Sequence, residues 1–317
     1  MITRALILAA GKGVKVGEHA GPNCLATVGR CTLLERTLQM LGSVGIQKIG
    51  IVVGHEDVLL RKHVAASSVV RATFKRHITY FDNPAFERPN GLSVLAARAF
   101  VTERTLLVMA DQIVAPGLVR ELVAAPAAGD RTVLCVDRDL ARVFDIDDAT
   151  KVELAGDRIV QIGKGLRAYH ATSAGLFVMS PSLVEALEGL PEPSLTEGVQ
   201  VAAARGLVVG HDVAGRPWQD VDTPEMKLHA EWLLRVYGDE LVRPSMQAAP
   251  PSTADDTLAL IERLLAEKDE PGYVLFSPGP VMTSARVKAA LVHHDVCHRD
   301  GDYSAVVERL QDKLRPV

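Results

Sequence analysis

The sequence predicts an α/β protein with a mixed, mostly parallel sheet covered by helices on both faces. Three observations carry that expectation. Several short runs are apolar at almost every position, as strands buried on both faces must be. Amphipathic segments with leucines at helical spacing separate those runs. Later, two alternating segments flank Ala155-Gly156-Asp157, the signature of a hairpin.

The first strand, from Arg4 through Leu8, Ala9 and Ala10, runs into Gly11-Lys12-Gly13-Val14-Lys15. A glycine turn after a strand lets backbone N–H groups approach a polyphosphate, because no Cβ stands in the way. The same pattern also describes an ordinary first turn of an α/β domain. Thr32 to Val44 carries Leu34, Leu38 and Leu41 and stops near Gly42 and Gly45, as a helix would. Lys48 to Val53 is a strand, Glu56 to Ala66 a helix, Ile78 to Phe81 a short strand, and Gly91 to Phe100 an alanine-rich helix. Thr105 to Ala110 is a further strand, ending at Asp111. Pro116 begins the next helix, with Leu118, Val119, Leu122 and Val123 on one face, and Thr132 to Val136 closes the alternation.

Lys151 to Leu154 and Arg158 to Ile162 form the hairpin, and Ala174 to Met179 is a strand followed by the Ser180-Pro181 helix start. Leu207 to Val209 is one more strand, and Thr223-Pro224-Glu225 opens a helix to about Val236. Residues 1–243 therefore read as one α/β domain. Residues 244–272, with Pro244, Pro250 and Pro251, read as a linker containing an amphipathic helix at Thr253 to Lys268. Residues 273–317 are too few to build a core alone.

Composition narrows the function classes. The chain has 317 residues, 48% hydrophobic and 23% charged, with a formal net charge of −4. It offers no basic face for nucleic acid and no polybasic patch for a membrane. Cys24, Cys31, Cys135 and Cys297 lack Cys-x-x-Cys spacing and read as packed thiols of a reducing compartment. No apolar run reaches the ~18 residues of a membrane span. The start lacks a signal peptide's basic region and cleavage site, so the expected location is the cytoplasm.

Asp111 stands at the carboxyl end of a central strand, where open α/β sheets bind ligands. Asp222 follows Trp218-Gln219-Asp220-Val221, just before a capped helix. Two converging carboxylates suit Mg²⁺, which leaves its remaining positions to water and phosphate oxygens. Asp111 reads equally as a solvated strand end, and Asp220 and Asp222 as turn or capping acids. Lys164, between Gly163 and Gly165, either reaches an anionic substrate or lies on the surface of a turn. Asp145, Asp147 and Asp148 read as a solvated acid run, and the histidines show no metal spacing.

Taken in order, Leu8-Ala9-Ala10-Gly11-Lys12-Gly13, Asn90-Gly91-Leu92-Ser93, Leu107-Val108-Met109-Ala110-Asp111, Asp147-Asp148-Ala149-Thr150-Lys151-Val152, Ile162-Gly163-Lys164 and Trp218 to Glu225 resemble the nucleotidyltransferase family. Within it they are most similar to CTP:inositol-1-phosphate and CTP:phosphocholine-type cytidylyltransferases, over residues 2 to about 236. The resemblance implies a Rossmann-like nucleotidyltransferase fold and an enzyme joining CTP to a small phosphate or phosphonate with release of pyrophosphate. It implies that Leu8, Ala9, Ala10, Gly11 and Gly13 hold the triphosphate, with Lys12 and Lys15 supplying charge. Gly91 and Ser93 would contact the base, Asp111 and Asp222 would bind Mg²⁺, and Lys164 would meet the acceptor's phosphorus group. The barrier to such an in-line attack comes largely from bringing two anions together.

Two departures stand out. Lys15 replaces the family's arginine, keeping the charge but losing a bidentate fork. Asn23, in Pro22-Asn23-Cys24-Leu25, replaces the lysine of the family's Pro-Lys-x-Leu motif. An amide donates a hydrogen bond but supplies no charge, a loss of ~3 kcal/mol in such sites. Lys12 or Lys15 would substitute in part.

From Leu275 to Leu314 the chain resembles the start of a class V PLP-dependent aminotransferase, most closely 2-aminoethylphosphonate:pyruvate transaminases. The resemblance rests on Phe276-Ser277-Pro278-Gly279-Pro280-Val281 and Cys297-His298-Arg299-Asp300. The PLP lysine would lie beyond Val317, so PLP is not expected on this chain. Such a bifunctional fusion implies 2-aminoethylphosphonate as the acceptor. The alternatives are inositol-1-phosphate or another small phosphate monoester, and, because of Asn23, a nucleotide-binding module without turnover. Apolar faces in the C-terminal segment would support a homo-oligomer.

Overall fold

The computed structural model describes residues 2–12, 21–73, 78–125, 129–238, 275–276 and 281–282. The chain divides into two units, Met1–Met246 and Gln247–Val317. In the second, Leu275–Phe276 (β14) and Val281–Met282 (β15) pair antiparallel. The expected linker helix at 253–268 and the Cys297-to-Asp300 segment lie outside the described residues.

The first unit opens with β1 (Arg4–Ala9). A small hairpin of β2 (Thr27–Val28) and β3 (Cys31–Thr32) leads into α1 (Leu33–Ser43). The Thr32 hydroxyl accepts the Glu35 N–H while the Glu35 carboxylate accepts the Thr32 N–H, a reciprocal cap that starts α1. Next come β4 (Lys48–Val53), α2 (Asp57–Ala66), α3 (Ser68–Thr73), β5 (Ile78–Asp82) and α4 (Gly91–Ala96). The helix expected to reach Phe100 stops at Ala96 and tightens to a 3-10 turn over Arg98–Phe100, which places Phe100 edge-on against Phe81 at 5.6 Å.

β6 (Thr105–Met109), β7 (Gln112–Val114), α5 (Pro116–Ala124) and β8 (Thr132–Asp137) follow. β9 (Lys151–Ala155) and β10 (Arg158–Gly163) form the hairpin read from the sequence, and β11 (Ala171–Met179) begins three residues earlier than its apolar run suggests. α6 (Pro181–Glu188), α7 (Leu195–Ala204), β12 (Val208–Asp212), β13 (Trp218–Asp220) and α8 (Pro224–Val236) complete the unit.

Nine strands form one mixed sheet in the order β5-β4-β1-β6-β11-β8-β12-β10-β9. Pairing is parallel from β5 through β6 and again between β8 and β12. The second half is more antiparallel than the apolar runs imply, because β11 inserts against both β6 and β8. A strand's side chains alternate faces, so a fully apolar strand feeds two cores. Ala5, Ile7 and Ala9 of β1 join the core under α1 and α5, with Leu34, Leu38, Leu118 and Leu122. Leu6, Leu8 and Ala10 join the opposite core under α4, α6 and α7, with Val94, Leu183, Leu187 and Val199. Each such leucine or isoleucine contributes about 1.5–3 kcal/mol on burial. A third cluster, with Val28, Leu33, Ile113, Val221 and Leu233, seats α8.

Candidate active site

The site is built by a short ribbon standing off the carboxyl end of β6. β13 pairs antiparallel with β7 in the register Gln112↔Asp220 and Trp218↔Val114. One residue further on, the Val221 N–H donates to the Asp111 carbonyl at 2.8 Å. Main-chain bonds thus carry Asp111 and the Asp220–Asp222 segment into one cavity across about a hundred residues of chain. Trp218 Nε1, donating to Asp137 Oδ2 at 2.8 Å, ties the ribbon back to β8.

That cavity has a volume of about 310 Å³ and is lined by Asp111, Asp145, Asp148, Asp220, Asp222, Arg142, Lys164 and Phe144, among others. Burial, then the neighbouring Asp222 and Asp220 charges, push the Asp111 carboxyl from 3.8 up to about 7. Asp220 is pushed up to about 6, chiefly by burial, although a hydrogen bond from Gln112 opposes the rise. Asp222 is raised by burial and then by Asp148, with Lys164 acting in the other direction. Carboxylates held together against solvation and their own repulsion are poised for a cation. Among the described residues no three His, Cys, Asp or Glu side chains are arranged to enclose a metal. Two carboxylates and substrate phosphate oxygens are nevertheless the donor set Mg²⁺ uses, so these residues fit that ion.

Gln112 is fully buried; its Nε2 donates to Asp220 Oδ1 at 2.8 Å and, at 3.4 Å, to the Ala174 carbonyl. Room for it comes from Gly175, whose φ is +65° at an irregularity in the β11–β8 register. A Cβ there would sit 2.7 Å from Gln112 Nε2. Gln219 donates to the Asp220 carbonyl at 2.7 Å, and its Oε1 lies 2.7 Å from His229 Nδ1.

The sequence-expected residues fall in several places. Asp111, Asp222 and Lys164 line the cavity together. Lys164 is exposed and paired with Asp148 at 2.6 Å. Leu8, Ala9 and Ala10 are buried where β1 ends; the Leu8 and Ala10 carbonyls accept from Ala110 and His55 N–H groups. Gly11 and Lys12 extend beyond that end as exposed residues, while Gly13 and Lys15 lie outside the described residues. Asn23 is buried in a 3-10 turn, and its Nδ2 has no hydrogen-bond partner. Its neighbour Cys24 is pushed up to about 12 by burial and then by the Asp111 charge.

Gly91 and Ser93 lie in α4 beneath Asn90, which does line the cavity. A Cβ on Gly91 would collide with the Pro193 carbonyl, and Ser93 Oγ accepts from Asn83 Nδ2 at 2.9 Å. Neither residue lines the cavity.

Gln112, Arg142 and Phe144 are not marked out by any motif in the sequence, where Asp148 reads as part of a solvated acid run. A signal for Asp148 was present. The β9–β10 hairpin registers Gly163 opposite Lys151, so Lys164 falls opposite Thr150, two residues from Asp148.

The MobA-like NTP transferase domain family model matches residues 5–207. The bifunctional IPC transferase and DIPP synthase of Rubrobacter xylanophilus is 38% identical over 239 residues, covering 73% of this chain and 52% of that protein. The CMP-5'-(3-aminopropyl)phosphonate synthase of Streptomyces rubellomurinus is 29% identical over 246 residues, covering 72% of this chain and 38% of that protein. This chain spans about half the length, or less, of these curated relatives. Among solved structures, the inositol-1-phosphate CTP transferase from T. maritima shares the fold with a TM-score of 0.63 and 22% identity, over 71% of this chain and 91% of that one. By the family match, which takes in the first strand, the Asp111 strand and the hairpin, the chain belongs to the MobA-like NTP transferase domain family.

Proposed function

We propose that this chain is a Mg²⁺-dependent cytidylyltransferase that transfers CMP from CTP to a small phosphonate, 2-aminoethylphosphonate, and releases pyrophosphate. The observation that carries the reading is the acid pair Asp111 and Asp222, held in one cavity by the β7–β13 ribbon, with Lys164 also in its lining. A phosphonate oxygen of the acceptor attacks the α-phosphorus; the new P–O bond forms as the bond to the departing pyrophosphate breaks. Asp111 and Asp222 would hold the Mg²⁺, which when bound neutralises charge on the triphosphate. Lys164 exchanges Asp148 for the acceptor's oxygens, and the backbone N–H groups of Gly11 and Lys12 hold phosphate oxygens. Asn23, whose buried Nδ2 has no hydrogen-bond partner, would supply the nucleotide a neutral donor in place of a charge. The similarity to a CMP-aminopropylphosphonate synthase supports the acceptor class.

A second reading keeps this chemistry and changes the acceptor to inositol-1-phosphate or another small phosphate monoester, supported by the resemblance of the motif series to such enzymes. Pyrophosphate release separates the two. CTP with 2-aminoethylphosphonate is expected to give turnover that chelation of Mg²⁺ abolishes. Turnover confined to inositol-1-phosphate overturns the first acceptor, and no release from CTP with any acceptor overturns the reaction.

A further inference from the structure

The cavity carries five carboxylates, Asp111, Asp145, Asp148, Asp220 and Asp222, against two cations, Arg142 and Lys164. Lys164 is already paired with Asp148, and Arg142 donates to the Gly215 carbonyl at 2.6 Å. Asp145, like Asp111, Asp220 and Asp222, forms no ion pair with a basic side chain among the described residues; one of its oxygens accepts the Asp148 N–H at 3.2 Å.

Beside it stands Phe144, 45% exposed, and of the large exposed hydrophobic side chains among the described residues it is the one that lines the cavity. Its ring is held in a stack. It stacks on His229 at 4.6 Å and 21°, and His229 stacks in turn on Trp232 at 5.2 Å and 22°. An immobilised aromatic face next to a carboxylate, in a cavity of net negative charge, attracts an organic cation.

We propose that Phe144 and Asp145 select an ammonium group on the acceptor, so that the acceptor is a small aminoalkyl phosphonate or phosphate and not a polyol phosphate. The inference rests on the cytidylyltransferase reading above. The two substrates bring negative phosphorus groups into a cavity that is already acidic, and an ammonium at the far end of the acceptor offsets part of that charge. A polyol's hydroxyls neither offset charge nor prefer an aromatic face to water.

The test uses the 317-residue chain with CTP and Mg²⁺, and compares 2-aminoethylphosphonate with ethylphosphonate, which lacks only the amine. Thermal melts check that the variants are folded. Phe144→Leu and Asp145→Asn are each expected to raise KM for 2-aminoethylphosphonate about tenfold, while the constants for ethylphosphonate change less than about twofold. Unchanged KM for the amine, or equal increases for both acceptors, overturns the inference. If wild type turns over inositol-1-phosphate but neither phosphonate, the ammonium inference falls and the cytidylyltransferase reading stands. If no acceptor is turned over, that reading falls, and calorimetric binding of the two phosphonates decides the inference separately. A preference for the amine that both variants abolish supports it, and no preference overturns it.

Discussion

Asp111→Asn should remove turnover and yet stabilise the metal-free protein, and the size of the stabilisation follows from the site's electrostatics. The Asp111 carboxyl moves from 3.8 to about 7 on folding, through burial and then through Asp222 and Asp220. At ~1.4 kcal/mol per pH unit, ionising it in the folded protein costs at most about 4 kcal/mol. The side chain is partly open to the cavity and the replacing amide keeps one accepting oxygen, so about 2 kcal/mol is the expected gain. The sign is set by the raised value. Protonated Asp111 leaves stability intact below pH ~4, and stability falls as pH rises towards about 7. Asp111→Asn should therefore raise Tm by about 4–8 °C at pH 8 and hardly at all at pH 3.5. Melting curves at both pH values, without divalent ions and then with excess Mg²⁺, measure it. Wild type should recover stability on adding Mg²⁺ at pH 8, and the variant should not. A variant less stable than wild type at pH 8, or equally stabilised at both pH values, refutes the account of a strained acid pair.

Asn23→Lys should raise kcat by about tenfold or more, measured as pyrophosphate release, because it restores the positive charge that the family motif brings to the nucleotide phosphates; unchanged kcat would mean that Lys12 or Lys15 already supplies it. Lys164→Ala should lower kcat/KM for the acceptor on the order of a hundredfold and leave equilibrium CTP binding nearly unchanged. Gly175→Ala should destabilise by about 1–3 kcal/mol in urea, since the new Cβ meets Gln112 at 2.7 Å and φ is +65°. Thr32→Ala, which breaks the cap of α1, should cost about 1 kcal/mol without affecting kcat.

The main sheet was legible because its strands are buried on both faces and so spell themselves as unbroken apolar runs. β1, with two cores to fill, is the plainest example. The hairpin at 155–157 was legible because its signal is local. The β7–β13 ribbon was not. Its strands have three residues each, and their partners lie about a hundred positions apart, so neither periodicity nor turn chemistry marks them. For the same reason Asp220 and Asp222 read equally well as capping acids until the pairing of Gln112 with Asp220 placed them. Phe144 escaped notice because a lone aromatic in a polar turn gains meaning only from His229 and Trp232, more than eighty residues away.

The bond from the Val221 N–H to the Asp111 carbonyl means that backbone, not side chains, sets the spacing of the two acids. Residues 113 and 114 should then accept other apolar side chains of similar volume with the acids left in place. A single residue inserted anywhere in 218–221 would reverse the alternation and turn Asp222 to the far side of the ribbon. The vulnerability of this centre lies in the register of its short ribbon more than in the chemistry of its side chains.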